Sequence, residues 1–286
     1  EDVMEMVRIA GGLTHEEFDA KPRMYTNINS TSPLKHDIPM LDGWMRLARR
    51  GQGLVVTPFT LAGAMAPVTM AGAVAQSLAE GLCAIALAQY INPGCPCVIG
   101  TFTSNVDMKT GSPAFGTPEY AQAAQASGQL ARHIGVPFRS SNVTSANTND
   151  AQAAYESMMS LWGAMTGQAH MINHAAGWLG GGLVASFEKL IIDAEMLQMM
   201  AAYTEPFQVE TADLALEAVR DVGPAGHFFG TPHTMERYES AFNAPLISNW
   251  DNYETWVERG SVTAEQRANQ IWKQLLGDYE QPAIDA

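Results

Sequence analysis

The residues best suited to ligand chemistry lie just beyond short apolar runs of the chain. Trp178 follows one such run among Gly177 and the triplet Gly180 to Gly182, and glycines permit the sharp backbone turns that leave a side chain accessible. An indole face attracts an organic cation through the negative charge density above the ring. The alternative is that Trp178 packs into a hydrophobic core, and the sequence leaves both interpretations open.

Two nitrogen-bearing side chains occupy comparable positions. His174 precedes Trp178 and either orients a carboxyl group or serves as a structural residue. Arg139 is a basic residue in a chain with a formal net charge of −14. Its guanidinium would bind a carboxylate through two parallel hydrogen bonds or pair with an acid of the protein. His170 shares a strand face with His174, but no third ligand accompanies them, so we predict no metal site.

Aromatic and acidic side chains complete the set of candidates. Phe102, Phe115 and Phe59 would add aromatic walls to a cation site, although a phenylalanine at a strand end is commonly a core residue. Asp107 would balance a positive charge or hydrogen-bond its own loop. Glu119 ends a Thr-Pro-Glu sequence that is typical of a helix start, so we rank Asp107 above it for substrate contact.

The composition disfavours several classes of protein. The net charge of −14 and a pI of about 4.8 argue against nucleic-acid binding, which needs clustered lysine and arginine. The cysteines are odd in number and two of them, Cys95 and Cys97, are nearly adjacent, so we expect a reducing, cytoplasmic compartment. The apolar stretch from Val68 to Ala88 is interrupted by polar residues, Glu80 among them. This is typical of a helix inside a protein and not of a membrane span.

Short β-rich runs alternate with helix-like stretches along the chain. We predict five such units, with strands at 24–29, 54–59, 97–102, 136–141 and 169–175 and helices at 40–50, 68–90, 120–133, 151–166 and 187–203. The strands look buried on both faces, which is typical of parallel strands. Asp193 and Glu195 of the last helix are expected on a solvated or helix-pairing face.

This β-then-α order predicts the α/β class and a TIM-type (β/α)8 barrel, whose active site lies at the C-terminal ends of the strands. Five units do not close the barrel, so we expect about three further units to precede residue 1. An open doubly wound sheet is the alternative, but no Gly-x-Gly-x-x-Gly turn follows a strand. We assign the barrel portion to residues 1–222. The C-terminal extension, residues 223–286, is richer in His, Trp, Tyr, Pro and charge and is expected to pack on the barrel.

Four loop motifs, in order along the chain, carry a family resemblance. They are DMKTGSPAFGTPE at 107–119, DAQAAYE at 150–156, HAAGWL at 174–179 and HFFGTPHT at 227–234. With these motifs the sequence resembles the trimethylamine methyltransferase family over nearly the whole chain. The resemblance implies a TIM-type barrel in a longer protein, and transfer of a methyl group to the cobalt of a separate corrinoid protein.

The resemblance also narrows the substrate. Family members that act on trimethylamine carry pyrrolysine, which this sequence lacks, whereas related proteins without it include enzymes for quaternary amines such as glycine betaine. We therefore expect a methyltransferase that moves a methyl group from a quaternary or tertiary methylamine, such as a betaine, to the Co(I) corrinoid of a cognate partner protein. A quaternary nitrogen leaves as a neutral amine, so a site that positions the substrate and excludes water suffices. No Asp-x-His-x-x-Gly motif occurs in the chain, so the corrinoid is expected on the partner, with no cofactor tightly bound here.

Two other functions stay open at this stage. A barrel that kept the cation site but lost transfer would be a non-catalytic binding protein for betaines and other quaternary amines. A metal-dependent lyase or hydrolase on the same barrel is the third class. We also expect the chain to form a homo-oligomer, and the sequence assigns no catalytic residue.

Overall fold

The computed structural model describes residues 2–283, which fall into two compact units that meet in sequence between Leu190 and Ile191. The predicted boundary at residue 222 stays a prediction. The strands are β1 (Tyr25–Ile28), β2 (Gly53–Val56), β3 (Leu61–Ala62), β4 (Cys97–Gly100), β5 (Ser104–Val106), β6 (Pro113–Ala114), β7 (Phe138–Ser141), β8 (Met171–Asn173), β9 (Trp178–Leu179) and β10 (Val184–Ala185). The helices are α1 (Asp2–Ala10), α2 (His15–Asp19), α3 (Ile38–Arg49), α4 (Met70–Ile91), α5 (Pro118–Ile134), α6 (Ala151–Thr166), α7 (Phe187–Thr204), α8 (Leu216–Val222), α9 (Pro232–Met235), α10 (Tyr253–Glu258) and α11 (Ala264–Gly277).

A parallel sheet forms the centre of the first unit. Its strand order is β1-β2-β4-β7-β8, and each neighbouring pair is parallel. The order follows the chain without reversal, unlike a doubly wound sheet, whose order reverses at a switch point. The sheet also curls, as shown by a hydrogen bond of 3.2 Å that Asn173 on the last strand donates to Asn27 on the first. The predicted α/β class and the five β-then-α units are confirmed, and the curled sheet is compatible with an incomplete TIM-like barrel.

Strands β2 and β7 are buried on both faces, as predicted, whereas β1 is largely exposed and β8 is half-buried. Leu54, Val55 and Val56 of β2 are each at most 1% exposed. Leu54 and Val56 pack in one cluster with Trp44 of α3 and Ala88 of α4. Burial of both faces leaves the strand ends as the place where polar side chains meet solvent, and this positions the site.

Helix α4 is long and apolar enough to cross a membrane by length and composition alone. A core helix of a globular protein passes the same test. Here Gly81 lies so close to β4 that a Cβ would be 3.1 Å from Ile99. Glu80 of the same helix is 3% exposed and accepts hydrogen bonds from Ser30, Ser32 and the Leu34 amide. These contacts are those of a helix packed on a sheet.

Short elements that the sequence pattern did not predict decorate the C-terminal ends of the main strands. β3, β5 and β6 form a three-stranded sheet, and β9 pairs antiparallel with β10 around a 3-10 turn at Gly180–Gly182. Strands of two or three residues are too short to show a hydrophobic period. They nevertheless carry Trp178 and, beside β6, Phe115.

The second unit has its own small core, in which Ile191, Ile247 and Ala268 are buried. Glu195 is 5% exposed and accepts hydrogen bonds from the backbone amides of Ile247 and Ser248. Asp193 is fully buried. The solvated interpretation of these two acids is therefore wrong, because helical spacing in the sequence cannot show which backbone donors a carboxylate will meet.

Candidate active site

A cavity of about 270 Å³ opens at the C-terminal ends of the parallel strands. Most of its lining follows a strand end or lies within one, as expected for a barrel-type site. The lining residues are Asn27, Asn29, Thr57, Phe59, Phe102, Phe115, Arg139, His174, Trp178, Gly181 and Gly182. The structure thus brings together five of the predicted site residues, namely Trp178, His174, Arg139, Phe102 and Phe115.

Arg139 is the buried charge of the cavity. It is 2% exposed, and its Nε and Nη1 atoms form no hydrogen bond with any residue in 2–283. Burial lowers the pKa of Arg139 to about 10, so the group is still positively charged at neutral pH. Its predicted alternative role, pairing with an acid, has no counterpart in the described part of the chain. A buried cation with free donors is the expected feature of an anion site.

Gly100 makes room for this arginine. Strand β7 places Arg139 opposite Gly100 of β4, and a Cβ at Gly100 would lie 3.1 Å from Arg139 Cδ and 2.5 Å from Thr57 Oγ1. Any larger residue would push one of these side chains aside. Thr57 Oγ1 is itself buried without a hydrogen-bond partner in the described residues.

His174 lies beside the arginine in a left-handed backbone conformation, with φ of 53°, which costs a non-glycine residue on the order of 1 kcal/mol. Its Nδ1 is 3.4 Å from Arg139 Nη2 and 3.3 Å from Ser141 Oγ. Because a guanidinium only donates, Nδ1 is the acceptor and the ring proton is on Nε2. Burial of the ring, and then the charge of Arg139, lower the pKa of His174 to about 4. The imidazole is therefore neutral at pH 7.

Aromatic rings form the walls. The ring centroid of Phe102 lies 5.1 Å from that of Phe59, 5.3 Å from that of Phe115 and 6.0 Å from that of Trp178. The His174 and Trp178 centroids are 4.6 Å apart. Phe102 and Phe115 are 6% and 1% exposed, so each is both a core residue and a lining residue. The two interpretations weighed from the sequence coexist.

The indole of Trp178 is held by its neighbours. Its Nε1 donates to the Thr144 carbonyl at 3.1 Å. Gly182, with φ of 94°, lies against the ring, and a Cβ there would collide with it. The glycine predicted to allow a turn has a second use, because it lets the backbone approach the indole face.

Amides occupy the remaining wall, and within residues 2–283 none of the lining side chains is acidic. Asn27 and Asn29 come from the first strand and the residue after it. A cation in this cavity would meet ring faces and amide oxygens, and no carboxylate. Groups of three or more His, Cys, Asp or Glu side chains suited to a metal ion do not occur in the described chain.

Asp107 and Glu119 lie outside the cavity lining. Asp107 is exposed and accepts from the Thr110 hydroxyl at 2.7 Å and the Thr110 amide at 3.1 Å, and the Thr110 hydroxyl is the main cause that lowers the pKa of Asp107. Glu119 is in the first turn of α5, where Thr117 caps the helix by accepting from the Tyr120 amide. For both acids the local backbone role is the one in the structure.

The other lining residues were predicted less directly. Phe59 is a further predicted aromatic wall, and Asn27, Asn29 and Thr57 lie in predicted strands near the C-terminal ends, where the sequence places the site. Gly181 is part of the glycine triplet, for which the sequence predicted a backbone turn but no place in the lining. The position of these residues in the lining depends on how the strands curl, which local sequence does not encode.

Comparison with known proteins supplies the family. The family model for trimethylamine methyltransferase matches residues 1–286. The chain belongs to the trimethylamine methyltransferase family. The resemblance inferred from the four loop motifs is confirmed.

The chain is similar to members of this family with different substrates in their names. It is 37% identical over 286 residues to a glycine betaine methyltransferase of Desulfitobacterium hafniense, covering 100% of this chain and 59% of the relative. It is 28% identical to trimethylamine methyltransferase MttB2 of Methanosarcina mazei, covering 99% of this chain and 57% of the relative. It is also 28% identical to an L-carnitine:corrinoid methyltransferase of Eubacterium limosum, covering 93% of this chain and 55% of the relative. The chain thus spans less than two thirds of the length of these relatives.

Proposed function

We propose that the protein transfers a methyl group from a quaternary ammonium compound of the betaine type to the Co(I) corrinoid of a separate partner protein. The observation that carries this proposal is a buried guanidinium with free N–H groups in a cavity walled by aromatic rings. A betaine joins a methylated ammonium to a carboxylate, so it needs both features. The names of the glycine betaine and L-carnitine methyltransferases among the relatives support the same class of substrate.

The ammonium group is assigned to the aromatic walls. One region of the cavity is surrounded by the rings of Trp178, Phe102, Phe115 and Phe59. Each ring face contributes about 0.5 to 2 kcal/mol to binding of a desolvated cation. Without an acidic lining residue, the site would not hold the ammonium in a tight ion pair. Because the ammonium would not be fixed by an ion pair, its amine can depart when the methyl carbon is attacked.

The carboxylate is assigned to Arg139. A carboxylate can accept two N–H bonds from one guanidinium, and Nε and Nη1 are both free of protein partners in residues 2–283. Such a pair would also offset the cost of burying the arginine. The neutral His174 accepts from Nη2 and leaves its Nε2–H as a further donor near the cavity.

The reaction requires no proton. The acceptor cobalt supplies an electron pair to the methyl carbon, the carbon–nitrogen bond breaks, and its electron pair stays on nitrogen, which leaves as a neutral tertiary amine. A neutral His174 fits this chemistry, since no general acid is needed. The residues of the chain would hold the substrate in line and exclude water.

The acceptor is proposed to approach along the outer side of Trp178. A second depression of about 330 Å³ lies there and shares His174, Trp178 and Gly182 with the cavity. With the carboxylate on the buried Arg139, the ammonium end of a betaine would point toward this shared wall. One N-methyl group would then face the approaching corrinoid.

Several wider expectations belong to the same proposal. We infer that the five described strands are part of a full (β/α)8 barrel, with the C-terminal extension beginning near residue 223. We infer that the corrinoid is held by a cognate partner protein, that the protein is cytoplasmic, in keeping with its free cysteines, and that it is a homo-oligomer.

A methyl-transfer assay tests the proposal. Purified protein is incubated with Co(I) cobalamin and glycine betaine, tetramethylammonium or trimethylamine, and formation of methylcobalamin and demethylated amine is measured. We expect transfer from glycine betaine in preference to the other two. Binding of betaines without transfer would favour the binding protein considered above, and stoichiometric metal in the purified protein would favour the metal-dependent enzyme. The absence of both binding and transfer would contradict the proposal.

A further inference from the structure

Glu156 of α6 lies behind the cavity and does not line it. Glu156 is 8% exposed, which is low for an acidic residue. One oxygen, Oε2, accepts hydrogen bonds from three consecutive residues, namely the Thr144 hydroxyl, the Ser145 amide at 2.8 Å and the Ala146 amide at 2.9 Å. A single carboxylate oxygen thus fixes the loop that follows β7.

This loop in turn holds the indole. The Thr144 carbonyl accepts from Trp178 Nε1 at 3.1 Å and from the Gly181 amide at 3.2 Å. The Ala146 carbonyl accepts from the Gly180 amide at 2.7 Å. Two of the three residues bound to Glu156, namely Thr144 and Ala146, therefore also bind the turn carrying Trp178.

The loop also holds a second aromatic wall. Ser145 Oγ accepts from the Phe115 amide at 2.7 Å and donates to the Pro113 carbonyl at 3.1 Å. Gly116, with φ of 73°, follows Phe115 and packs directly on the backbone of Glu156, where a Cβ would collide. Two segments far apart in sequence thus meet at Glu156 and the loop that its carboxylate binds.

The geometry points to Glu156 as a positioning residue that sets Trp178 and Phe115 for binding of the ammonium group. This inference rests on the proposed function for its ligand, but the placement of the rings can be measured without one. Arg139 lies on β7 opposite Gly100 and contacts His174, and it forms no hydrogen bond with the loop that Glu156 holds. Loss of Glu156 is therefore expected to disturb the cation wall and spare the carboxylate end.

The test compares Glu156→Ala and Glu156→Gln with Gln152→Ala as the matched control. Gln152 is exposed and donates to the other oxygen, Oε1, at 2.7 Å, so its loss leaves the three loop contacts intact. Glu156→Gln keeps the shape of the side chain and one acceptor oxygen, so it should retain most of the wild-type ring placement and ligand affinity. Ser145→Ala is a milder variant that removes the hydroxyl bound to the Phe115 amide and the Pro113 carbonyl, while the amide of residue 145 still reaches Glu156.

Two readouts are used on the full chain. The first is ¹⁹F NMR of protein labelled with 5-fluorotryptophan, in which the signal of Trp178 among six tryptophans is assigned with Trp178→Phe. The second is calorimetric affinity for tetramethylammonium, which has only the cation, and for 3,3-dimethylbutyrate, which has the carboxylate and an uncharged tert-butyl group.

For Glu156→Ala we expect a shifted or broadened Trp178 signal with the other tryptophan signals in place. We also expect tetramethylammonium affinity about tenfold weaker, the loss of roughly one good ring contact, and 3,3-dimethylbutyrate affinity within about threefold of wild type. Glu156→Gln and Gln152→Ala should resemble wild type in the Trp178 signal and in both affinities. Ser145→Ala should weaken binding of tetramethylammonium but not of 3,3-dimethylbutyrate.

The inference is overturned by an unmoved Trp178 signal and unchanged tetramethylammonium affinity in Glu156→Ala. It is equally overturned if all tryptophan signals move and both probes are lost together, since that is general unfolding. If wild type binds neither probe, the proposed function fails, while the Trp178 signal still decides whether Glu156 positions the ring.

Discussion

Replacing Arg139 by methionine should change stability and ligand affinity in opposite directions. The arginine is 2% exposed without a described acidic partner, and burial lowers its pKa to about 10. Against an ordinary value of about 12.5, this corresponds to roughly 3 kcal/mol of penalty on the charged form. Methionine keeps much of the volume and removes the charge. We expect the free energy of unfolding to be unchanged or to rise by up to about 3 kcal/mol.

Affinity for a carboxylate ligand should fall in the same variant. Removing one partner of a buried charge pair costs about 2 kcal/mol or more, so glycine betaine should bind at least about 30-fold more weakly. Tetramethylammonium, which has no carboxylate, should bind within about threefold of wild type, or more tightly once the positive charge is gone.

The assay is isothermal calorimetry with both ligands, together with denaturant unfolding of wild type and variant. Arg139→Lys is the control, because it keeps a charge but cannot form the forked pair, and it should recover only part of the betaine affinity. Unchanged betaine affinity in Arg139→Met would refute the carboxylate assignment. A large loss of stability would refute the description of the arginine as an unpaired buried cation.

Three further predictions concern the wall of the cavity. Trp178→Ala should weaken tetramethylammonium binding about tenfold by calorimetry, whereas Tyr90→Ala, at an 88% exposed ring, should have no effect; equal affinities would remove Trp178 from the site. Gly182→Ala should lower both thermal stability and ligand affinity, because the new Cβ meets the indole, whereas Gly94→Ala has a similar positive φ in open space and should leave affinity unchanged. His174 has a folded pKa near 4 against about 6.5 unfolded, so the unfolded chain binds the proton first and stability falls as pH drops from about 6.5 to 4. In His174→Gln, thermal melts across this range should show a shallower loss, and an identical slope would contradict the shifted pKa.

The main elements were predictable because their signals are local. The strands predicted at 54–59, 97–102 and 136–141 overlap β2, β4 and β7, although β2 and β4 end two or three residues earlier than predicted, and the helix predicted at 151–166 has the bounds of α6. Burial on both faces produces continuous apolar runs, and these need no knowledge of the partners. The two-residue strands β3, β6, β9 and β10 had no such signal, since they form where the main strands end.

The site was predictable in part for a related reason. Strand-end positions pointed to Arg139, His174 and Phe102, because a parallel sheet gathers its C-terminal ends at one edge. Asp107 also follows a strand, but its loop turns back and the carboxylate binds Thr110. The direction of a loop depends on contacts far apart in sequence.

Glu156 shows the same limit more clearly. In the sequence it is an acid on a predicted helix, at the end of the DAQAAYE motif, and helical spacing does not distinguish it from a solvated acid. Its role arises from three donors of a loop ten to twelve residues away. Buried carboxylates of this kind become visible only when the backbone amides they satisfy are placed.

A crystal structure of the protein with glycine betaine would test the proposed binding mode directly. We predict that the carboxylate lies within hydrogen-bond distance of the Arg139 guanidinium and that the trimethylammonium group packs against the rings of Trp178 and Phe102. One N-methyl group should face the depression beside Trp178. A carboxylate bound away from Arg139, or an ammonium outside the aromatic walls, would contradict it.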